Sequence, residues 1–553
     1  MNDFISFIPL GGIGTVTKNM YLYGYRDEIL IVDCGLGFAD ETMLGVDLLL
    51  PDISYLKKTR SKIIGMVLSH GHEDHIGALP FLLPQLPPFP IYASPLTAAL
   101  ANEKIKEFGI VGRKVNTVNF SDAPIKLGNF TFSFARITHS VPDTSNIFIK
   151  TPVVNFYHGS DFKIDDTPSD GKKTDYEKIT KFGNEGVYCL MSDCLGAEKE
   201  GRTGSDINLL DNFLEEMKRC KGKFLVTTYS SNIARLNQII KASEMVGRKV
   251  CFIGRSLMKI KDVATRLDYM QLKQGIEVEL DQIKNYNDNK LTFIVAGSQG
   301  QEYSALFRVA YGLQKEVKLK EDDTVIFSAD PIPGNEISIY ELIDEIAKSG
   351  ARVIYSRVSN KFHVSGHGSQ EELKRMIAMV KPKKLLPIGG ALRHMFIYRD
   401  LAESLGYKKS DVFLMENGKE VIFRANGVTL GRTIPIEKVY VDEISGEKID
   451  SFVLRDRQKL SEGGIVTLIV EIDSSTGAIV GKPEIIVRGF VPAYDINRLN
   501  AKLLNDLHKV LSGKKTQVIN WIYIRKLIGE TAERRIFKEL RRRPLILPIV
   551  LEV

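Results

Sequence analysis

The chain opens with short runs in which β-branched and aromatic residues crowd between glycine turns: FISFIPLGG, NMYLYGY, EILIVDCG and KIIGMVLSHGH. Over residues 3–70 this pattern predicts a series of short strands. Two of them end in an acidic residue or a histidine at a turn, which sets polar groups on the rim of a sheet. A helix is expected from His75 through Leu83 and another over about 95–108. Strands are expected at about 129–138, 145–157 and 186–192. From 205 to 350 amphipathic stretches such as NLLDNFLEEMKRC and ARLNQIIKASEMV alternate with apolar runs such as KFLVTTY, KVCFIG and TFIVAGSQG. Helices alternating with strands in this way predict parallel α/β units. Residues 351–405 return to strand, loop and helix, and after about 425 the chain turns strand-rich and then helical.

Composition narrows the class. A length of 553 residues predicts two or three domains rather than one core. A hydrophobic fraction of 44% and a charged fraction of 26% fit an ordinary soluble globular protein. No apolar run approaches the roughly 18–20 residues that span a bilayer. The start, MNDFISFIPLGGIG, has neither a basic region nor a cleavage site. A cytoplasmic protein without a membrane partner is the expectation. The five cysteines, Cys34, Cys189, Cys194, Cys220 and Cys251, form no CxxC pair and read as buried reduced thiols. A net charge of +7 admits a polyanionic partner without demanding one.

The chemistry concentrates in SHGHEDHIGALP, where His70, His72, Asp74 and His75 follow an apolar strand and open a helix. His70 and His72, two apart on an extended segment, can face one ion. Asp74 and His75, at the helix start, can reach a second. Neutral imidazoles and carboxylates suit Zn²⁺ with an open position for water. A two-ion site needs further donors. His139 in RITHSVPD and Asp161 in HGSDFK both stand at strand ends, whereas His158 points elsewhere on its strand. Farther on, KFHVSGHGSQEEL sets His363 and His367 around a small-residue turn leading into a helix. Backbone N–H groups at such a turn form an anion site, and a histidine beside it can donate a proton.

Taken in order, SHGHEDHIGALP, THSVPD, SDFK, SSNIAR, GSQG, PIPGNE and HVSGH resemble the ribonuclease J family, in the β-CASP branch of metallo-β-lactamase nucleases. The likeness runs from about residue 7 to the end and includes VLRDRQKLSEGGIV and RRRPLILPIVLEV. The resemblance implies an α/β protein. An αββα metallo-β-lactamase sandwich (1–204 and 356–425) would carry an inserted β-CASP α/β domain (205–355). A linker (426–449) would lead to a C-terminal α/β domain (450–553). It implies a zinc-dependent ribonuclease with 5′-to-3′ exonuclease and endonuclease action in RNA decay and maturation, by attack of a metal-activated water on the phosphodiester. His70, His72 and His139 match the ligands of a first zinc, Asp74 and His75 those of a second, and Asp161 the bridging carboxylate. Asp74, Asp193 and His367 are the expected catalytic residues, with Asp193 orienting His367 and His367 protonating the leaving oxygen. Ser231, Asn232 and the stretch His363, Val364, Ser365, Gly366 and His367 match the phosphate-binding surface. Two Zn²⁺ per chain are expected, with Mn²⁺ or Mg²⁺ as alternatives. The expected partners are RNA with a 5′-monophosphate and further subunits, in a homodimer, a homotetramer or a hetero-oligomer with a paralogue.

The chain departs from the family pattern in two places. The family's P-V-H-G-E-x-R run reads LLPIGGALRHMF here, so Gly389 stands where a zinc-ligating histidine is usual and Ala391 replaces a glutamate. A weakened second zinc site is the expectation, with His394, five residues on, either a substitute donor, a phosphate contact or a plain helix residue. In GGIGTVTKN, Thr15 replaces the usual glutamate. These departures carry an alternative: a weakly active or non-catalytic RNA-binding partner subunit of an active paralogue. A small-molecule hydrolase of the same superfamily fits less well, because such enzymes lack HVSGH and the long C-terminal domain. The Arg541–Arg543 run reads as a solvated helix end before an RNA contact, and Trp521 and Tyr523 read as packing residues.

Overall fold

The structure is a computed structural model, and it describes residues 3–40, 42–332, 334–442, 446–474, 479–489, 496–511 and 521–553. Pro333 of PIPGNE and residues 443–445 of the expected linker lie outside the described residues. The chain forms two compact units, one of residues 1–40 with 48–439 and one of 41–47 with 440–553.

Among the described residues, the first unit holds an eight-stranded and a six-stranded sheet that share one core. Tyr21, Tyr23 and Phe7 from one sheet and Phe134, Phe148 and Phe156 from the other are all buried in it. Tyr23 meets Phe156 edge-on with ring centroids 5.3 Å apart. The aromatic and β-branched runs of the sequence are the inner faces of these sheets.

Strand direction gathers the polar ends. Phe156–Gly159, Cys189–Asp193 and Lys384–Ile388 run parallel, so Asp161, Asp193 and Gly389 fall at one rim. Glu28–Val32 and Lys62–Leu68 are likewise parallel, which brings Asp33 beside Ser69 and His70. Loops at the carboxyl ends of parallel strands are where α/β sheets bind ligands.

Three local expectations change. The single helix from His75 through Leu83 is two short ones, Glu73–Ile76 and Leu79–Leu82. Gly77 interrupts the first, and Pro80, which has no N–H to give, sits in the opening turn of the second, where none is needed. The expected strand 145–157 is a hairpin of Ser145–Lys150 and Phe156–Gly159. Thr151 Oγ1 accepts from the Val153 and Val154 amides and turns the chain before it can run on. The expected linker 426–449 gives Gly427–Thr433 to the edge of the eight-stranded sheet, paired antiparallel with Lys419–Arg424.

The alternating region forms a parallel sheet in the order Lys249–Ile253, Leu291–Val295, Phe224–Thr227, Thr324–Phe327, Arg352–Ile354. It has its own core around Leu225, Phe293, Val325 and Leu342. In the second unit, strands Ile465–Ile472, Ile479–Arg488 and Leu545–Glu552 pack Leu468 and Val470 against Leu503, Leu507, Ile528 and Ile536 of two helices. Trp521 packs on this core, whereas Tyr523 is exposed. Arg541 and Arg543 lie over the Phe537 ring. All five cysteines are buried and unbridged.

Candidate metal centre

The turn after Lys62–Leu68 folds the HxHxDH block so that alternate side chains converge. His70 Nε2 and His139 Nε2 lie 3.0 and 3.1 Å from His72 Nδ1. Asp161 Oδ2 stands 3.8 Å from His70 Nε2 and 3.9 Å from His139 Nε2. On its other side the same oxygen is 3.4 Å from His75 Nε2, which is 3.6 Å from Asp74 Oδ2. The donors therefore form two groups that share Asp161: His70, His72, His139 and Asp161, and then Asp74, His75 and Asp161. Within each group the donor atoms all lie within 4.8 Å of one another.

These donors suit a cation. Burial, reinforced by neighbouring histidines, holds His70 and His139 well below the usual imidazole range, and burial takes His72 down to about 3. Three neutral imidazoles pointing lone pairs at one volume have no proton to share there, and a divalent ion satisfies all three. The remaining ring nitrogens are held from behind. Ser69 Oγ lies 3.0 Å from His70 Nδ1, Ser140 Oγ lies 3.2 Å from His72 Nε2, and His139 Nδ1 donates to the Gly366 carbonyl at 2.6 Å. Such outer contacts fix the tautomer and orientation of a ligating histidine.

A third group joins Asp161 to Asp193 and His367. His367 Nδ1 is 2.7 Å from Asp193 Oδ2, and its Nε2 is 3.9 Å from Asp161 Oδ2. Burial pulls the His367 imidazole down, but Asp193 and Asp161 outweigh it and hold it up at about 9. The two carboxylates thus favour the protonated imidazole.

The remaining predicted residues are placed as follows. Ser365 Oγ accepts from the His367 amide at 3.1 Å. Asn232 is buried and caps the helix Ile233–Met245, its Oδ1 accepting from the Arg235 amide. Ser231 is half-buried beside it. His363 has Arg235 on Nδ1 at 2.8 Å and Asp330 3.2 Å from Nε2, so both ring nitrogens are engaged. His158 is turned away from the donors, against the Tyr23 hydroxyl at 3.0 Å. His394 is buried at the start of Leu392–Ser404, where Nδ1 accepts from the Ala391 amide at 3.2 Å and Nε2 is 3.4 Å from Glu198. At Gly389, which has φ +65°, a Cβ would point 3.5 Å from Asp161 Oδ1 and 4.0 Å from Asp193 Oδ1.

The sequence reading missed the residues behind the second group. Asp33 Oδ2 is 2.7 Å from His75 Nδ1, and the same carboxylate accepts from the Ser69 amide and hydroxyl. Its signal was the strand EILIV running into an aspartate at a turn. Asn19 Nδ2 donates to the Asp74 carbonyl at 3.1 Å and sits 3.1 Å from His75 Nε2. Nothing in its local sequence marks that role.

Known proteins extend this picture. Residues 13–146 match the metallo-beta-lactamase superfamily and 221–346 the ribonuclease J beta-CASP domain. Residues 352–415 match the Zn-dependent metallo-hydrolase RNA specificity domain, and 452–553 the ribonuclease J C-terminal domain. These matches agree with the expected sandwich, inserted domain and C-terminal domain. The chain is 37% identical to ribonuclease J of Thermus thermophilus, over 100% of this chain and 96% of that one. It is 34% identical to ribonuclease J2 of Bacillus subtilis, over 99% of each. A crystal structure of an Enterococcus faecalis protein of unknown function shares the fold at a TM-score of 0.54 and 16% identity, over 76% of this chain and 100% of that one. Among the described residues no helix is long and apolar enough to cross a membrane. Full-length similarity at these identities, on top of two donor groups sharing one carboxylate, places the chain in the ribonuclease J family.

Proposed function

We propose that this chain is a metal-dependent ribonuclease that hydrolyses RNA phosphodiesters, acting 5′-to-3′ on 5′-monophosphorylated ends and also internally, with Zn²⁺ as the expected cation. One observation carries the reading: the Gly366 carbonyl accepts from His139, so the loop 363–367 lies directly against the first donor group. His70, His72, His139 and Asp161 would hold one ion, and Asp74, His75 and Asp161 the other. Bound there, a pair of divalent cations supplies Lewis acidity toward a water and a phosphoryl oxygen. The loop offers backbone N–H groups and the Ser365 hydroxyl to a phosphate. His367, held by Asp193, keeps a proton at Nε2 for the departing oxygen, a contribution of about 10²–10⁴-fold. On this reading residues 205–355 cover the RNA and the C-terminal domain assists assembly into dimers or tetramers.

Purified protein with Zn²⁺ or Mn²⁺ should degrade a 5′-monophosphorylated oligoribonucleotide, and His72→Ala and Asp74→Ala should abolish turnover. Full activity in both variants refutes the reading. Gly389 favours a second one, a weakly active subunit that binds RNA beside an active paralogue. Metal analysis separates them: one or two ions per chain support the enzyme, and almost none supports the subunit.

A further inference from the structure

We infer that Arg235 is a positioning residue that fixes the loop 363–367 relative to the metal-binding residues; this rests on the ribonuclease reading above. Arg235 lies in the first turn of Ile233–Met245 and is fully buried. Arginine is seldom found so deep, because its charge must be repaid by well-placed partners. Here the partners come from three separate segments. Nη2 donates to Asp206 Oδ1 at 2.9 Å and to the Val364 carbonyl at 2.8 Å. Nη1 donates to the Ser328 carbonyl at 2.6 Å and to His363 Nδ1 at 2.8 Å. Nε is buried and has no hydrogen-bond partner among the described residues. The side chain is thus placed by its terminal fork, at the expense of Nε.

Asp206 carries the connection onward. It accepts from Lys163 Nζ at 2.6 Å, and Lys163 is two residues beyond Asp161. Burial pushes the Asp206 carboxyl up, yet Lys163 and Arg235 outweigh it and hold it below the usual range. The carboxylate shared by the two donor groups and the loop that faces them are therefore tied through Lys163, Asp206 and Arg235.

The loop is held at both ends. Arg235 grips His363 and Val364, whereas His139 holds the Gly366 carbonyl and Asp193 holds His367. Because His363 accepts on Nδ1, its Nε2 bears the hydrogen that faces Asp330, and the residue serves as a strut. Loosening the Arg235 half should displace the phosphate-facing backbone while His367 stays in place. Lysine cannot reproduce the grip, since one point charge does not hold two carbonyls, a carboxylate and an imidazole in a planar fork.

The test uses full-length Arg235→Lys and Arg235→Met with a 5′-monophosphorylated oligoribonucleotide and Mn²⁺, beside amide hydrogen exchange. KM should rise about tenfold with kcat within about twofold of wild type, the pattern of lost binding rather than lost chemistry. Exchange should accelerate over 361–365 and stay unchanged around His139 and Asp193. A fall in apparent kcat at unchanged KM, with a lower Tm, indicates general destabilisation and overturns the inference. A KM rise without faster exchange also overturns it, since Arg235 would then touch substrate itself. If Arg235→Met fails to fold, leaving Asp206 with Lys163 alone, Arg235→Lys decides. If wild type shows no turnover, the ribonuclease reading falls, and exchange in Arg235→Lys alone upholds or overturns the positioning role. If wild type turns over and Arg235→Lys changes neither KM nor exchange, the positioning role falls and the function stands.

Discussion

The two donor groups share one carboxylate and differ in the number and kind of their other donors. The first has three imidazoles and Asp161, and each imidazole is held from behind. The second has Asp74, His75 and Asp161, and Gly389, which lies against the shared Asp161 and against Asp193, has no side chain to offer. The departures from the family pattern gather around Gly389. Ile13–Gly14 pairs in parallel with Gly390–Ala391, and the Gly389 amide donates to the Gly12 carbonyl at 2.8 Å. Thr15 is far in sequence from Gly389 and Ala391, yet all three lie on or next to one short ladder. Thr15 and the Gly389–Ala391 pair therefore read as a single local change.

Asp161→Asn should have the largest effect, because Asp161 belongs to every donor group. Both ions should bind more weakly, the second most, and RNA turnover should fall about 10³-fold, the equivalent of several kcal/mol of lost charge stabilisation. Chelator competition that finds either ion held as tightly as in the wild type would break the idea of a shared carboxylate. Asp33→Asn should come next and act mainly on the second group, which it contacts directly, reaching the first only through Ser69. It weakens the hold on His75 and should lower second-ion affinity about 10–100-fold, the usual size of such outer contacts. Chelator competition should find the first ion weakened much less; equal weakening of both would erase the distinction between the groups.

What the sequence made legible follows from what is local. His70, His72, Asp74 and His75 sit on one turn, so their spacing announces a metal-binding arrangement. The parallel sheet of 205–350 was likewise readable, because each strand and helix carries its own period. Asp33 and Asn19 were not, because they reach His75 through strand pairing that no short window contains. Gly77 with Pro80, and Thr151, broke elements that periodicity alone had joined. Gly389 was visible as a departure, but its neighbour Gly12 was not, since their contact spans most of the chain.

Gly389→His should give a smaller effect of opposite sign. A side chain there points toward Asp161 and Asp193, so an imidazole would add a fourth protein donor to the second group. The left-handed backbone at φ +65° sets about 1 kcal/mol or more against it. A net tightening of the second ion by about tenfold is expected, read by calorimetric titration of the second equivalent. An unchanged second equivalent would mean that this group does not lack a donor.

The smallest expected effect is the most discriminating one for that shortage. His394 is the one histidine near Gly389 in sequence, and a substitute donor would make the two groups equal again. Its two ring nitrogens are engaged elsewhere, Nδ1 with the Ala391 amide and Nε2 beside Glu198. To ligate, it would have to give up the contact that satisfies the first free amide of its own helix. His394→Ala should therefore leave the content and affinity of both ions unchanged and lower stability by about 0.5–2 kcal/mol, as loss of a helix cap does. Metal analysis and thermal melting on one preparation separate the cases. Loss of the second ion with little change in melting would make His394 a ligand, and the asymmetry between the groups would then be one of sequence position rather than of donor number.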